Sequence, residues 1–296
     1  TAFRGLTANK LRSGLTILGI VIGVAAVVAL MGIGNGATSS ITDQISSNGS
    51  NLLTVMAGRS QRPTAGRFVM SNPITYKDYQ ALEKTLTDVA GIAPTYQGSF
   101  TVAIGVESAS ISVVGVTEDY FPVNNHTIAS GRAITAADRS KEKQVAVIGQ
   151  TIVDDYFSGV DPLGQVLKIN NKSFTIVGVL ESKDSSGFND QNEIILVPLE
   201  TGYAKLFGSN AIRNGQRVVS TISVSAASAD VVDSVSSQIT FVLRHQHGLE
   251  TDEDDDFRVQ NPAELLETLT SVPTTLTTFL GAIAALVTKA TIVIER

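Results

Sequence analysis

Leu15 to Ile33 reads LTILGIVIGVAAVVALMGI, and it lies inside a stretch, residues 13 to 42, with no charged side chain. At about 1.5 Å per residue these positions make a helix of roughly 28 Å, the thickness of a bilayer's hydrocarbon. Only the Thr16 hydroxyl interrupts the apolar run. The segment is therefore predicted to cross a membrane as an uninterrupted helix. A cleavable signal peptide is the rival; its core would be about 7–15 residues, ending at a small-residue cleavage pattern. The following GNGATSSITDQISS offers no such pattern. A buried helix of a soluble domain is disfavoured because no face of the segment is polar.

Working outward, Arg4, Lys10 and Arg12 precede the span and no acidic residue occurs before Asp43. Positive charge stays on the cytoplasmic side, so these three residues set the amino end inside and the chain emerges outside. A second candidate span, Leu276 to Ile294, holds one charge, Lys289, close enough to its end to reach the inner headgroups. Its rivals are a helix packed on the soluble domain, or a span broken by truncation. Both ends inside leaves one exported domain between them. The two end segments hold Arg4, Lys10, Arg12, Lys289 and Arg296 against Glu295, so that domain is more acidic than the chain's net −6. An acidic surface argues against nucleic acid and anionic headgroups as its partners. With no cysteine, disulfides, thiolate nucleophiles and cysteine-based zinc sites are excluded.

Within the exported part the first helix is expected to run on past Ile41 and Ile45 and stop near Asn48-Gly49. Asn51 to Met56 reads as a strand. Thr75-Tyr-Lys-Asp78 has the capping-box form, followed by Tyr79, Leu82 and Leu86 at helical spacing. From Val89 short strands are predicted: Phe100, Val102, Ile104 and Val106 alternate, and Ser108 to Ser110 turn the chain into Ile111 to Val116. Asp161-Pro-Leu-Gly164 suits a type I turn, and Asn170-Asn171 a hairpin tip between Val166–Ile169 and Phe174–Leu180. Ile194 to Val197 ends at Pro198, with a short helix over 201–207. After the polar stretch 208–215 come a strand over 218–224 and an amphipathic helix over 229–243, carrying Val231, Val232, Val235, Ile239, Val242 and Leu243 on one face. Phe257 to Gln260 reads as a strand and Pro262 as the first residue of a helix reaching Leu269.

The predicted fold class is a membrane-anchored α+β protein. Residues 1–34 form the cytoplasmic flank and first span, 35–94 with 216–272 a mixed α/β lobe, 95–215 an inserted β-rich lobe, and 273–296 a second span, truncated or altered.

Sites for chemistry are sparse. No Gly-Lys-Ser or Gly-Lys-Thr supplies a phosphate loop, and neither H-E-x-x-H nor G-x-S-x-G occurs. Catalytic, cofactor-binding and metal residues are therefore expected to be none. His126 stands alone. His245-x-His247 is expected in a solvated last turn of a helix, and Asp252 to Asp256 in a solvated loop without calcium-loop spacing. Gly32-x-Gly34-x-Gly36 lacks the preceding strand of a dinucleotide loop. Gly19-Ile-Val-Ile-Gly23 has the small-xxx-small spacing that lets membrane helices approach, so Gly19 and Gly23 are the helix-packing candidates; ordinary span composition explains them equally well.

Ala8 to Val28 resembles the first membrane helix of MacB-type ABC transporter permeases, of the FtsX-like superfamily. The same order continues through Val113-Val-Gly-Val-Thr-Glu-Asp-Tyr-Phe-Pro122, Ser130-Gly-Arg132, Val145 to Gln150, Asp161-Pro-Leu-Gly-Gln165, Phe174 to Val179 and Val197-Pro-Leu199. It ends with Asp255-Asp-Phe257 ahead of 261–269. The resemblance implies an exterior domain with a porter-like α/β lobe and an inserted β-rich lobe, in a homodimeric permease of the inner (plasma) membrane. It implies a cytoplasmic ABC ATPase, fused or separate, which holds the ATP and magnesium, so this chain carries no cofactor and is no enzyme by itself. Such permeases work by mechanotransmission on drug, peptide or lipoprotein-like cargo, often with a periplasmic adaptor and outer-membrane duct. The alternative in the same superfamily is an FtsX-like regulator of cell-wall hydrolases. The family has four membrane helices; here Phe279 to Leu286 resembles only the start of the second, and 288–296 departs from it.

Overall fold

The computed structural model describes residues 51–58, 63–64, 67–68, 72–183 and 192–261, together with five helical positions, Ala25, Val28, Ala29, Gly32 and Gly36. The chain divides into two compact units, residues 45–262 and residues 1–44 with 263–296. The two predicted membrane spans, Arg4, Lys10, Arg12, Gly19 and Gly23, the stop at Asn48-Gly49 and the helix from Pro262 all lie outside the described residues, apart from those five positions. Among the described residues no helix is long and apolar enough to cross a membrane.

In chain order, β1 (Leu52–Ala57) is followed by a small hairpin, β2 (Pro63–Thr64) with β3 (Arg67–Phe68), then α1 (Tyr76–Thr85), β4 (Val89–Ile104) and β5 (Glu107–Val116). Next come α2 (Tyr120–Val123), β6 (Ile128–Gly131), α3 (Ala136–Ser140), β7 (Val145–Ile148) and α4 (Gln150–Tyr156). β8 (Val166–Ile169), β9 (Lys172–Leu180), β10 (Ile194–Pro198) and α5 (Leu199–Lys205) lead to the hairpin β11 (Ile212–Arg213) with β12 (Gln216–Arg217). The last elements are β13 (Thr221–Ala226), α6 (Val232–His247) and β14 (Phe257–Gln260).

Strands β14, β1, β13 and the first half of β4 pair antiparallel in that order. Their alternating side chains Leu53, Val55, Ile222 and Val224 are fully buried against Leu82 of α1 and Val235, Ile239 and Leu243 of α6. Each such side chain, taken from water into that layer, contributes about 1.5–3 kcal/mol. The other face receives α2, where Val123 packs with Leu52 and Ala93.

At Tyr96, β4 changes partner from β13 to β5. From there pairing continues β5–β10–β7–β9–β8, and β8 returns to β4 through Val102–Ile169 and Ala103–Lys168. Six strands thus close a ring. Closure removes the edges an open sheet would present. Val102, Ile111, Val113, Ile148, Leu167, Ile169, Phe174, Ile176, Ile195 and Val197 belong to one buried cluster with them. Ile152 of α4 and Phe207 after α5 complete it.

Glycines in the quoted motifs have steric reasons. Gly131 adopts φ +79 opposite Gly178, and a Cβ on Gly178 would lie 2.3 Å from the Arg132 carbonyl oxygen. A Cβ on Gly149 would lie 2.0 Å from the Asn192 carbonyl oxygen.

Several local expectations need correction. The short strands predicted from Val89 are one 16-residue strand, β4. The chain turns at Gly105-Val106, not Ser108–Ser110, which sit in β5 paired with Thr101–Ala103. Gly105 at φ +61 opens this two-residue turn, the residue a type II′ hairpin needs there. The turn after Asp161 closes from the Gln165 N–H to the Pro162 carbonyl, with Gly164 at φ +79 third, which is type II geometry rather than type I. The helix predicted over 201–207 begins at Leu199, and the strand predicted over 218–224 begins at Thr221. Residues 229–231 form one 3₁₀ turn before α6, which extends to His247 and stops at Gly248, φ +66.

Candidate functional site

Three polar clusters are built into the 45–262 unit. The first begins with the capping box of α1. Thr75 accepts the Asp78 N–H through its hydroxyl, and the Asp78 carboxylate accepts the Thr75 N–H at 2.8 Å. That carboxylate is also 3.4 Å from Nε2 of His247, at the last residue of α6. The other ring nitrogen, Nδ1, lies 2.6 Å from Oδ1 of Asp256, whose Oδ2 accepts from the Asn72 amide at 2.8 Å. His247 is therefore not the solvated residue expected from its position: its side chain is 6% exposed and both ring nitrogens face carboxylates. Asp256 likewise leaves the solvated acidic run, and Asp255 pairs with Arg244 at 2.5 Å. His245 stays exposed, so the H-x-H pair does not converge.

Both contacts suit an imidazolium, which donates from each nitrogen. The Asp78 hydrogen bond, opposed by burial and helped by Asp256, raises the His247 pKa to about 9. Burial alone would raise the Asp78 carboxyl; hydrogen bonds from His247 and Thr75 outweigh it and hold it below its usual range. Chemically this is a charged clasp. It joins the start of α1, the end of α6 and the residue before β14. A cleft of about 260 Å³ opens beside it, lined by Lys77, Arg213, Gln216 and Gln246.

The second cluster lies where α1 meets the ring. Arg139 of α3 grips Glu118 with two hydrogen bonds, 2.8 and 2.9 Å, and Glu200 of α5 with one at 3.2 Å. Tyr76 of α1 stands beside them, its phenol raised by burial and by the Glu200 charge. Nearby, a second capping box, Thr135 with Asp138, opens α3. Fully buried Asp138 takes Arg132 at 2.6 Å and Lys143 at 2.9 Å. Burial would raise its pKa, but the hydrogen bonds from Arg132, Thr135 and Lys143 hold it far below the usual carboxylate range.

The third cluster surrounds α2. The Tyr120 ring stacks on His126 with centroids 5.3 Å apart. Burial first, and the Lys183 charge second, lower the His126 pKa to about 4, so this imidazole is neutral near pH 7. Burial lowers Lys183 to about 8; its ammonium donates to the Asn124 carbonyl at 2.8 Å. The Asn124 amide oxygen accepts from Ser223 of β13 at 3.0 Å, which stitches α2 to the four-stranded layer.

Among the described residues no group of His, Asp and Glu is arranged to hold a metal ion. The quoted motifs instead supply ties: Glu118 and Tyr120 come from the 113–122 segment, Arg132 from Ser130-Gly-Arg132. Sequence reasoning missed Asp138, although Thr135-x-x-Asp138 repeats the spacing of Thr75-x-x-Asp78.

Comparison with known proteins agrees with this architecture. A family model described as the MacB-like periplasmic core domain matches residues 13–242. The macrolide export ATP-binding/permease protein MacB of Azoarcus sp. (strain BH72) is 34% identical over 287 residues, covering 97% of this chain and 41% of that protein. The protein of the same name from Marinobacter nauticus is 34% identical over 288 residues, 97% of this chain and 42% of its own length. The chain thus spans about two-fifths of these curated relatives. Among solved structures, the periplasmic region of MacB from Actinobacillus actinomycetemcomitans superposes with a TM-score of 0.61 at 23% identity, covering 78% of this chain and 97% of that one. The extracellular domain of the ABC-type transporter YknZ from Gram-positive bacteria gives 0.56 at 19%, covering 71% and 100%. These two share the α/β fold, and the match over residues 13–242 shows that the chain belongs to the family of the MacB-like periplasmic core domain.

Proposed function

We propose that this chain is the exterior domain and first membrane helix of an ABC-type exporter permease of the bacterial inner membrane, working by mechanotransmission. The observation that carries the reading is the match to proteins named for macrolide export along 97% of this chain, from the apolar amino-terminal stretch through the exterior domain. In this reading Arg4, Lys10 and Arg12 keep the amino end in the cytoplasm, and Gly19 and Gly23 pack the first helix against its mate in a homodimer. The ATPase, fused or separate, holds ATP and magnesium. The exterior domain moves when the ATPases close, pushing cargo already outside towards a periplasmic adaptor and outer-membrane duct. The three tied clusters suit that role, since a lever must resist bending where its elements join.

The supporting experiment is export. Cells carrying the permease with its ATPase, adaptor and duct should expel a labelled macrolide loaded into their periplasm, and Gly19→Leu with Gly23→Leu should abolish expulsion while the exterior domain stays folded. Expulsion that proceeds unchanged in that variant overturns the role given to the first helix. Expulsion unchanged when the ATPase is inactivated overturns the exporter. Capture of a cell-wall hydrolase by the exterior domain, with no macrolide expulsion, supports the FtsX-like regulator instead.

A further inference from the structure

Six large apolar side chains stand exposed among the described residues, and three of them, Val106, Val160 and Val166, line one groove. It encloses about 500 Å³ at one end of the strand ring, where the β4–β5 turn, the loop after α4 and the start of β8 meet. Nine residues of extended β4, about 30 Å, separate it from the point where that strand changes partner.

The core demands none of these valines. Val106 is fully exposed in a two-residue turn, where polar residues are the usual choice. Val160 follows Gly159, φ +79, in a loop. Val166 is at an outward position of β8, whose inward residues Leu167 and Ile169 are fully buried. Apolar groups from three separate elements, gathered at one open groove, mark an interaction surface rather than scattered surface chemistry. The charged residues lining the groove are both acidic, Glu107 and Asp155.

We propose that this groove docks a protein segment whose apolar side chains are flanked by lysine or arginine. The valines take the apolar groups, and Glu107 and Asp155 select cationic flanks. Acidic rims repel an acidic segment and an anionic membrane alike. The inference concerns the exterior surface alone and does not depend on transport.

The test uses the full 296-residue chain in phosphatidylcholine nanodiscs, with a fluorescent alternating Lys-Val peptide as the probe and a Glu-Val peptide of equal length beside it. Saturable binding of the Lys-Val peptide beyond that on empty discs is expected, weakening with salt. Val106→Ser, which removes the apolar contact without adding charge, should reduce it about tenfold. Val160→Ser should act alike, and Glu107→Gln with Asp155→Asn should flatten the salt dependence. Val106 lies in an exposed turn, and near-UV circular dichroism confirms that each variant folds. Equal binding of both peptides, or undiminished binding to the valine variants, overturns the proposal. So does a wild-type dimer in sedimentation that Val106→Ser dissociates, which would make a second copy the occupant. Binding matched by empty discs would assign it to lipid.

Discussion

Replacing His247 by glutamine removes the cation that Asp78 and Asp256 share, and the size of the effect follows from its titration. The pKa rises from 6.5 to about 9 on folding, and each unit is worth about 1.4 kcal/mol, so the protonated clasp contributes about 3 kcal/mol. At 6% side-chain exposure, solvent does little to screen it. The sign is set by the raised value: the folded state holds the proton more tightly. The contribution is therefore complete below about pH 6.5, declines above it, and is gone once pH exceeds about 9. Asp78, held low, acts in the opposite range: its contribution is present above its ordinary 3.8 and lost as pH falls through the lowered value. Lys183, lowered from 10.5 to about 8, makes stability rise with pH between those values in wild type and variant alike. The difference between the two proteins isolates the histidine. Urea unfolding in mild detergent, followed by the fluorescence of the chain's six tyrosines, reads it without interference from tryptophan, which the chain lacks. At pH 6 His247→Gln should cost about 3 kcal/mol, and at pH 9.5 close to nothing. Parallel pH profiles for the two proteins, or a loss below about 0.5 kcal/mol at pH 6, would refute the clasp.

Other substitutions test the remaining ties. Asp138→Asn leaves Arg132 and Lys143 without their shared carboxylate; because both cations are half exposed, the loss should be about 2 kcal/mol, shrinking as pH falls and the wild-type carboxyl protonates, as thermal melts would show. Thr75→Ala removes the N-cap of α1 and should cost about 1 kcal/mol in the same melts. Gly149→Ala drives a methyl into the Asn192 carbonyl and should cost at least about 3 kcal/mol, since backbone must move; a variant that melts with wild type contradicts the close approach. Asn124→Ala breaks the stitch to Ser223 and should speed amide exchange in β13 by about tenfold, read by mass spectrometry.

Local rules recovered local structure. Thr75-x-x-Asp78 marked the start of α1, and Asn170-Asn171, at φ +47 and +62, made the tight hairpin tip that two asparagines allow. Of the six residues assigned to the apolar face of α6, Val232, Val235, Ile239, Val242 and Leu243 are buried on it, while Val231 ends the 3₁₀ turn before the helix and is partly buried against the same core. The family was readable from the order of short motifs. What pattern could not supply was pairing between distant segments. Short strands are expected from Val89, yet β4 stays extended through Pro94 and Gly98 while exchanging one partner for another at Tyr96. The return of β8 to β4 rests on two residue pairs with no local signature. His247 looked solvated because its own helix turn is polar; Asp78, far away in sequence, buries it.

The central claim is that nucleotide on the ATPase moves the exterior domain. Because the chain has no cysteine, Lys172→Cys on the ring can carry one spin label per protomer, attached before assembly, so that the distance read is the one between the two exterior domains of the proposed homodimer. Pulsed dipolar distances in the assembled transporter, without nucleotide and with a non-hydrolysable ATP analogue and magnesium, test it most directly. The account predicts a shifted distance distribution on adding the analogue. Superimposable distributions, in an assembly whose ATPase is active, would contradict it.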